Sequence, residues 1–156
     1  MVMQERFFTS KQASQITGCT LRQLQYWREK EVVVPTISGT GTGRSIYYAE
    51  KDLATLAVME YLLTLGFNFE LCREKLKELQ KEEQGFFSSP LAEAPMSRYM
   101  LWRPNSHVEL KLGKYNLDLA IEMLEKGQPV IPFWLDLIQE ELVEMMQTLG
   151  YGQFAS

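Results

Sequence analysis

The sequence predicts a mostly α-helical chain: a helix-rich first part with one β-hairpin, then a small α+β segment. Three observations predict this. Two capping-box signatures open short helices close together, a glycine-rich tip joins two β-type runs, and later segments carry apolar residues at helical spacing. The 156 residues suffice to bury a core without disulfides, and a 46% hydrophobic content argues against global disorder. Cys19 and Cys72 stand far apart and form neither a disulfide framework nor a CxxC pair. No signal-like run opens the chain and no stretch of about 18 apolar residues occurs, so a cytoplasmic protein without a membrane span is expected.

Thr9-Ser10-Lys11-Gln12 fits a capping box, with Phe8 and Ala13 placed as a hydrophobic staple. Gly18 stops that helix because it takes positive φ at little cost. Thr20-Leu21-Arg22-Gln23 repeats the signature; Leu21, Leu24 and Trp27 are expected on one inward face, with Arg22, Gln23, Gln25, Tyr26 and Arg28 mostly on the other sides. Two short helices around a glycine-containing turn are the helix-turn-helix pattern. Val32 to Pro35 reads as extended, Ser38 to Gly43 as a glycine-rich tip, and Arg44 to Tyr48 as β-type again, which together make a hairpin. A helix follows from about Glu50 to Leu65 and ends at Gly66. Asn68 caps the next, which carries Phe69, Cys72, Leu76 and Leu79 and ends near Gly85.

Residues 85–97 contain two prolines and small residues and read as a linker. It divides a first domain, 1–84, from an accessory segment, 98–156. In the latter, Tyr99–Arg103 and Val108–Leu112 form a hairpin around Pro104-Asn105-Ser106-His107. Asn116 caps a helix with Leu117, Ala120, Ile121 and Leu124, ended by Gly127 and Pro129. Pro132 suits the first turn of a last helix running to about Leu149. Leu135, Ile138, Leu142, Met145 and Leu149 follow heptad-like spacing there, a candidate dimerisation stripe whose alternative is intrachain core.

The net charge is −4, but residues 6–51 carry +4 and residues from Gly85 onward −4. A phosphate backbone feels the local field, so an acidic total is compatible with a basic face. The glycine-rich tip lacks a Gly-Lys-Ser/Thr ending and is not a nucleotide cradle. With no Cys beyond Cys72 and His107 the sole histidine, one chain assembles no thiolate metal site, and neither a cofactor nor a catalytic arrangement is expected. Tyr99, Trp102, Tyr115, Phe133 and Trp134 are either core or the lining of an effector pocket.

Gly18-Cys19-Thr20, Leu24-Gln25-Tyr26-Trp27, Val32-Val33 with Pro35, Tyr48-Ala49-Glu50-Lys51-Asp52-Leu53 and Leu65-Gly66-Phe67 occur in the order of a known family pattern. Over about residues 7–80 the chain resembles the MerR family of transcription regulators, with a winged helix-turn-helix fold. It departs at Gln25 (usually Arg), Glu31 (usually Gly), Ala49 (usually a capping Ser) and Ile46 (often basic). The resemblance implies a non-enzymatic regulator that binds double-stranded DNA as a homodimer on inverted half-sites, with RNA polymerase a possible contact. The second helix then enters the major groove, with Thr20 at its start; Arg22 is suited to guanine and Gln23 to adenine. Tyr26, Arg28 and Lys11 are candidate phosphate contacts, and Arg44 is the wing's candidate for backbone or minor groove. Competing classes are an antitoxin-like or adaptor module with a protein partner, and an excisionase-like factor that bends DNA.

Overall fold

Local rules account for how several of the helices begin and end, and packing decides which faces are covered. The computed structural model describes residues 5–38, 46–92 and 97–152. These fall into two units: residues 1–94 with 139–156, and residues 95–138.

In the first unit, strand β1 (Phe7–Phe8) leads into α1 (Ser10–Thr17) and α2 (Leu21–Glu29). Both expected capping boxes form. Thr9 Oγ1 accepts from the Gln12 amide and Gln12 Oε1 from the Thr9 amide; Thr20 and Gln23 do the same. Gly18 has φ 79°, and Phe8 and Ala13 are buried as the staple requires. At the end of α2 the Val32 amide donates to Trp27 O and the Glu31 amide to Arg28 O, a Schellman motif. Glu31 occupies its left-handed position at φ 58°, where glycine is favoured.

Strands β2 (Ile37–Ser38) and β3 (Ile46–Ala49) pair antiparallel, Ile37 opposite Tyr47, and β1 pairs with the other edge of β3. The expected glycine tip and Arg44 lie outside the described residues. The β-type run after α2 is only partly extended: residues 31–33 turn and the strand begins at Ile37.

Helix α3 (Glu50–Thr64) is central. Leu53, Ala54, Leu56, Val58, Met59 and Leu62 are all fully buried, because neighbours cover the helix on several sides. Ala49 cannot cap it with a side chain; only the reciprocal half of a capping box is present, with Asp52 accepting from the Ala49 amide at 2.8 Å. Asn68 caps α4 (Phe69–Glu82) as expected. Residues 85–88, expected as the start of the linker, belong to a short helix, α5 (Gln84–Ser88), which buries Phe86 with Phe87 edge-on to it. Apolar burial outweighs the weak helix propensity of this stretch.

In the second unit, β4 (Arg98–Trp102) is the middle of a three-stranded antiparallel sheet between β5 (Lys111–Lys114) and β6 (Val130–Trp134). The hairpin is as expected, but its second strand starts at Lys111, because the turn is longer: Asn105 Oδ1 accepts from the His107 amide and Asn105 O from Val108. Trp102 lies against Gly113, where a Cβ would stand 2.8 Å from its ring. Asn116 caps α6 (Leu117–Glu125), and Gly127 ends it at φ 76°.

The expected start of the last helix is overturned. Pro132 does not open a helix; it lies in β6 opposite Met100, and the last helix, α7 (Leu135–Thr148), begins after Trp134. An edge strand tolerates a residue without an amide proton, and Val130–Trp134 is rich in β-branched and aromatic side chains. Residues 135–138 of α7 fall in the second unit, and 139–152 in the first. The segment 98–156, expected as one accessory piece, is thus shared between the units. In the first unit Gln139 Nε2 donates to Pro90 O and Ala92 O. Beyond α7, Tyr151 meets Phe8 edge-on at 5.3 Å, and the Arg6 guanidinium donates to Tyr151 O and to Glu50.

Candidate nucleic-acid interface

Helix α2 has two unlike sides because its apolar residues recur one helical turn apart. Leu24 and Trp27 are buried, and at 3.6 residues per turn the opposite side carries Arg22, Gln25, Tyr26 and Glu29, all exposed. Leu21, expected inward with Leu24 and Trp27, is instead 56% exposed. As first residue of the helix it points about 60° away from Leu24 and clears the core.

The structure places the predicted contact residues unevenly. Thr20 and Arg22 are exposed in the first turn of α2, and Lys11 is exposed on α1. The Gln23 carbonyl oxygen is held by the Thr20 amide at 2.9 Å, so half of its amide group is occupied by the cap. Tyr26 is 42% exposed and rests edge-on against Phe69 of α4, centroids 5.0 Å apart, with the Lys30 ammonium 5.7 Å above its ring. Arg73 lies over the other end of this row, 5.7 Å from Phe69. Arg28 is half-buried beside Tyr48. Burial pushes the Tyr48 phenol up, a rise that the Arg28 guanidinium beside it partly offsets.

Reading the sequence placed Tyr26 outward but missed Phe69, Lys30 and Arg73 around it. Helical spacing reports only neighbours on the same helix, whereas Phe69 arrives from α4. The exposed surface is mixed in sign, since Gln25 donates to Glu29 at 3.1 Å and Glu31 follows α2.

Residues 8–79, β1 to α4, match the family model described as MerR HTH family regulatory protein. These residues form a MerR-family helix-turn-helix domain. The MerR domain is also 37% identical over 70 residues to proteins named as uncharacterized HTH-type transcriptional regulators in Mycobacterium bovis and in two strains of Mycobacterium tuberculosis. The similarity spans 44% of this chain and 31% of each relative's length.

Outside the MerR domain, the five aromatic residues considered for a pocket do not face one space. Register puts Trp102 and Trp134 on one face of the β4 sheet and Tyr99 and Phe133 on the other, where both are buried. Arg98 stacks on Trp134 at 4.0 Å and pairs with Asp136 at 2.9 Å. Both thiols are buried; Cys19 donates to Leu56 O, and burial pushes the thiols up to about 12 for Cys19 and about 11 for Cys72. Among the described residues no group of His, Cys, Asp or Glu is arranged to hold a metal, and no helix is long and apolar enough to cross a membrane.

Proposed function

We propose that this protein binds a specific double-stranded DNA site as a homodimer and regulates transcription without catalysis. The observation that carries this reading is the two-sided α2: Leu24 and Trp27 anchor it while Arg22 and Tyr26 stand outward, inside a domain that matches the MerR family. In the major groove Arg22 at the helix start reads guanine O6 and N7. Thr20 approaches the backbone beside it. Gln23 reads adenine only by giving up its bond to the Thr20 amide, so Arg22 is the stronger determinant. Tyr26, Lys11 and Arg28 contact phosphate. The β2–β3 pair is the wing, and Arg44, which lies between those strands in sequence, is its candidate for the adjacent backbone or minor groove.

The dimer surface involves α7. Leu135, Ile138 and Leu142 are already buried within the chain, so the open end of the stripe at Met145 (42% exposed) and Leu149 (38%) is where a second copy docks.

Selection of duplex fragments with the purified protein tests this reading. The expected product is one enriched sequence with inverted half-sites. Arg22→Ala then weakens the selected site by about 1–3 kcal/mol, a factor of roughly 5 to 150, with little effect on random duplex. No enriched sequence, or an Arg22→Ala variant that binds like the parent, refutes it.

A further inference from the structure

The second unit leaves one helix face bare. In α6 the packed side is Ala120 and Met123, whereas Leu117 (58% exposed), Ile121 (45%) and Leu124 (58%) are open. At 100° per residue these three project within about 60° of one another, a continuous stripe and not scattered exposure. An apolar stripe of this kind, of the order of a few hundred Å², marks interaction sites on folded proteins.

The borders of the stripe define its occupant. One flank is the packed side. The other carries Glu125, Asp118 and Glu122, all exposed. Lys126 neutralises only Glu122, at 3.1 Å, and no salt bridge among the described residues involves Asp118 or Glu125.

A second copy of this helix fits poorly. In an antiparallel two-fold pair the same flank of each helix meets its own equivalent, so Asp118 and Glu125 of both copies crowd together. A parallel pair drives those carboxylates against the side by which the partner helix is packed into its own unit.

We infer that the outer face of α6 docks an amphipathic helix of another protein, one whose apolar stripe is flanked by lysine or arginine. The apolar side chains supply the attraction, and the carboxylate flank supplies orientation and partner choice. This surface belongs to the second unit and does not depend on the DNA reading.

The test is fluorescence anisotropy on the full chain with two labelled helical peptides, each about five turns long. They share one leucine stripe and differ in flanks, lysine and arginine in one, glutamate in the other. Saturable binding of the basic-flanked peptide is expected, with the acidic-flanked peptide weaker by roughly tenfold or more. Ile121→Ser with Leu124→Ser abolishes the binding, with circular dichroism reporting the fold. Asp118→Asn with Glu125→Lys, outside the apolar stripe, reverses the preference between peptides and keeps the test decisive if the serine pair unfolds. Equal binding of both peptides, binding of neither, or a preference untouched by the charge variant overturns the proposal. So does sedimentation showing that the Ile121/Leu124 variant dissociates a wild-type dimer, which assigns the face to a second copy.

Discussion

Replacing Asp52 by alanine tests how the MerR domain joins its strands to its central helix. One carboxylate oxygen, Oδ2, accepts from the Thr36 amide at 2.9 Å, the Thr36 hydroxyl at 2.6 Å and the Ala49 amide at 2.8 Å. The side chain thus fixes the segment before β2 and the start of α3 at once. The three bonds are not equivalent. Ala49 is fully buried, so its amide finds no water after the substitution, at about 1.5–3 kcal/mol for a lost charged acceptor. Thr36 is exposed, and water replaces part of its two bonds, leaving about 0.5–1 kcal/mol for each. The total is about 2.5–5 kcal/mol, a large share of a typical domain's stability, and corresponds to a Tm drop on the order of 10 °C. Urea unfolding followed by circular dichroism measures it, and hydrogen exchange at the Ala49 amide localises it. Asp52→Asn keeps an acceptor and loses less than half as much. A loss below about 1 kcal/mol for alanine, or asparagine as damaging as alanine, refutes the reasoning.

Other variants probe separate features. Glu31→Gly relieves a left-handed non-glycine residue at φ 58° and, after the extra chain entropy of glycine, raises stability by about 0.5–1 kcal/mol in the same urea assay. Gly113→Ala places a Cβ 2.8 Å from Trp102 Cη2, and the displaced indole costs about 1–3 kcal/mol, visible as a change in tryptophan fluorescence and a lower Tm. The hydrogen bonds from Arg98 hold the Asp136 carboxyl below its usual 3.8. A lowered folded-state value stabilises above that pH and the gain disappears as pH falls through the folded value, so wild type and Asp136→Asn converge in stability under acid and separate above about pH 4. With thiol pKa values pushed up to about 12 and about 11 by burial, Cys19 and Cys72 resist iodoacetamide at pH 8 in the folded protein and react once urea unfolds it; rapid native-state alkylation contradicts their placement.

What was legible in the sequence was what local chemistry decides. Thr9, Thr20, Asn68 and Asn116 each cap the helix they were expected to cap, because a capping bond closes within three residues. Glu31 likewise lies where a family glycine was missing, and the backbone there does need positive φ. Pro132 misled because its fixed φ suits both a first helical turn and an edge strand, and only pairing with Met100 decides between them. The burial of α3 on several sides, the exposure of Leu21 and the seat of Tyr26 on Phe69 depend on partners distant in sequence. Of the interface, the outward side of α2 was readable at Arg22 and Tyr26; the half-burial of Arg28 beside Tyr48 was not.

The seam that Gln139 makes with Pro90 and Ala92, and Tyr151 with Arg6 and Phe8, gives the first unit a broken chain path. Residues 95–138 are an excursion from it, left and re-entered. On a ribosome, the early helices emerge long before the strand of sequence that finishes their unit, and must wait through the synthesis of an entire foreign element. The excursion also closes a loop whose entropy grows only slowly with length. Its size is therefore a parameter that selection can vary at small thermodynamic expense, leaving the helices of the first unit untouched while the accessory element is exchanged.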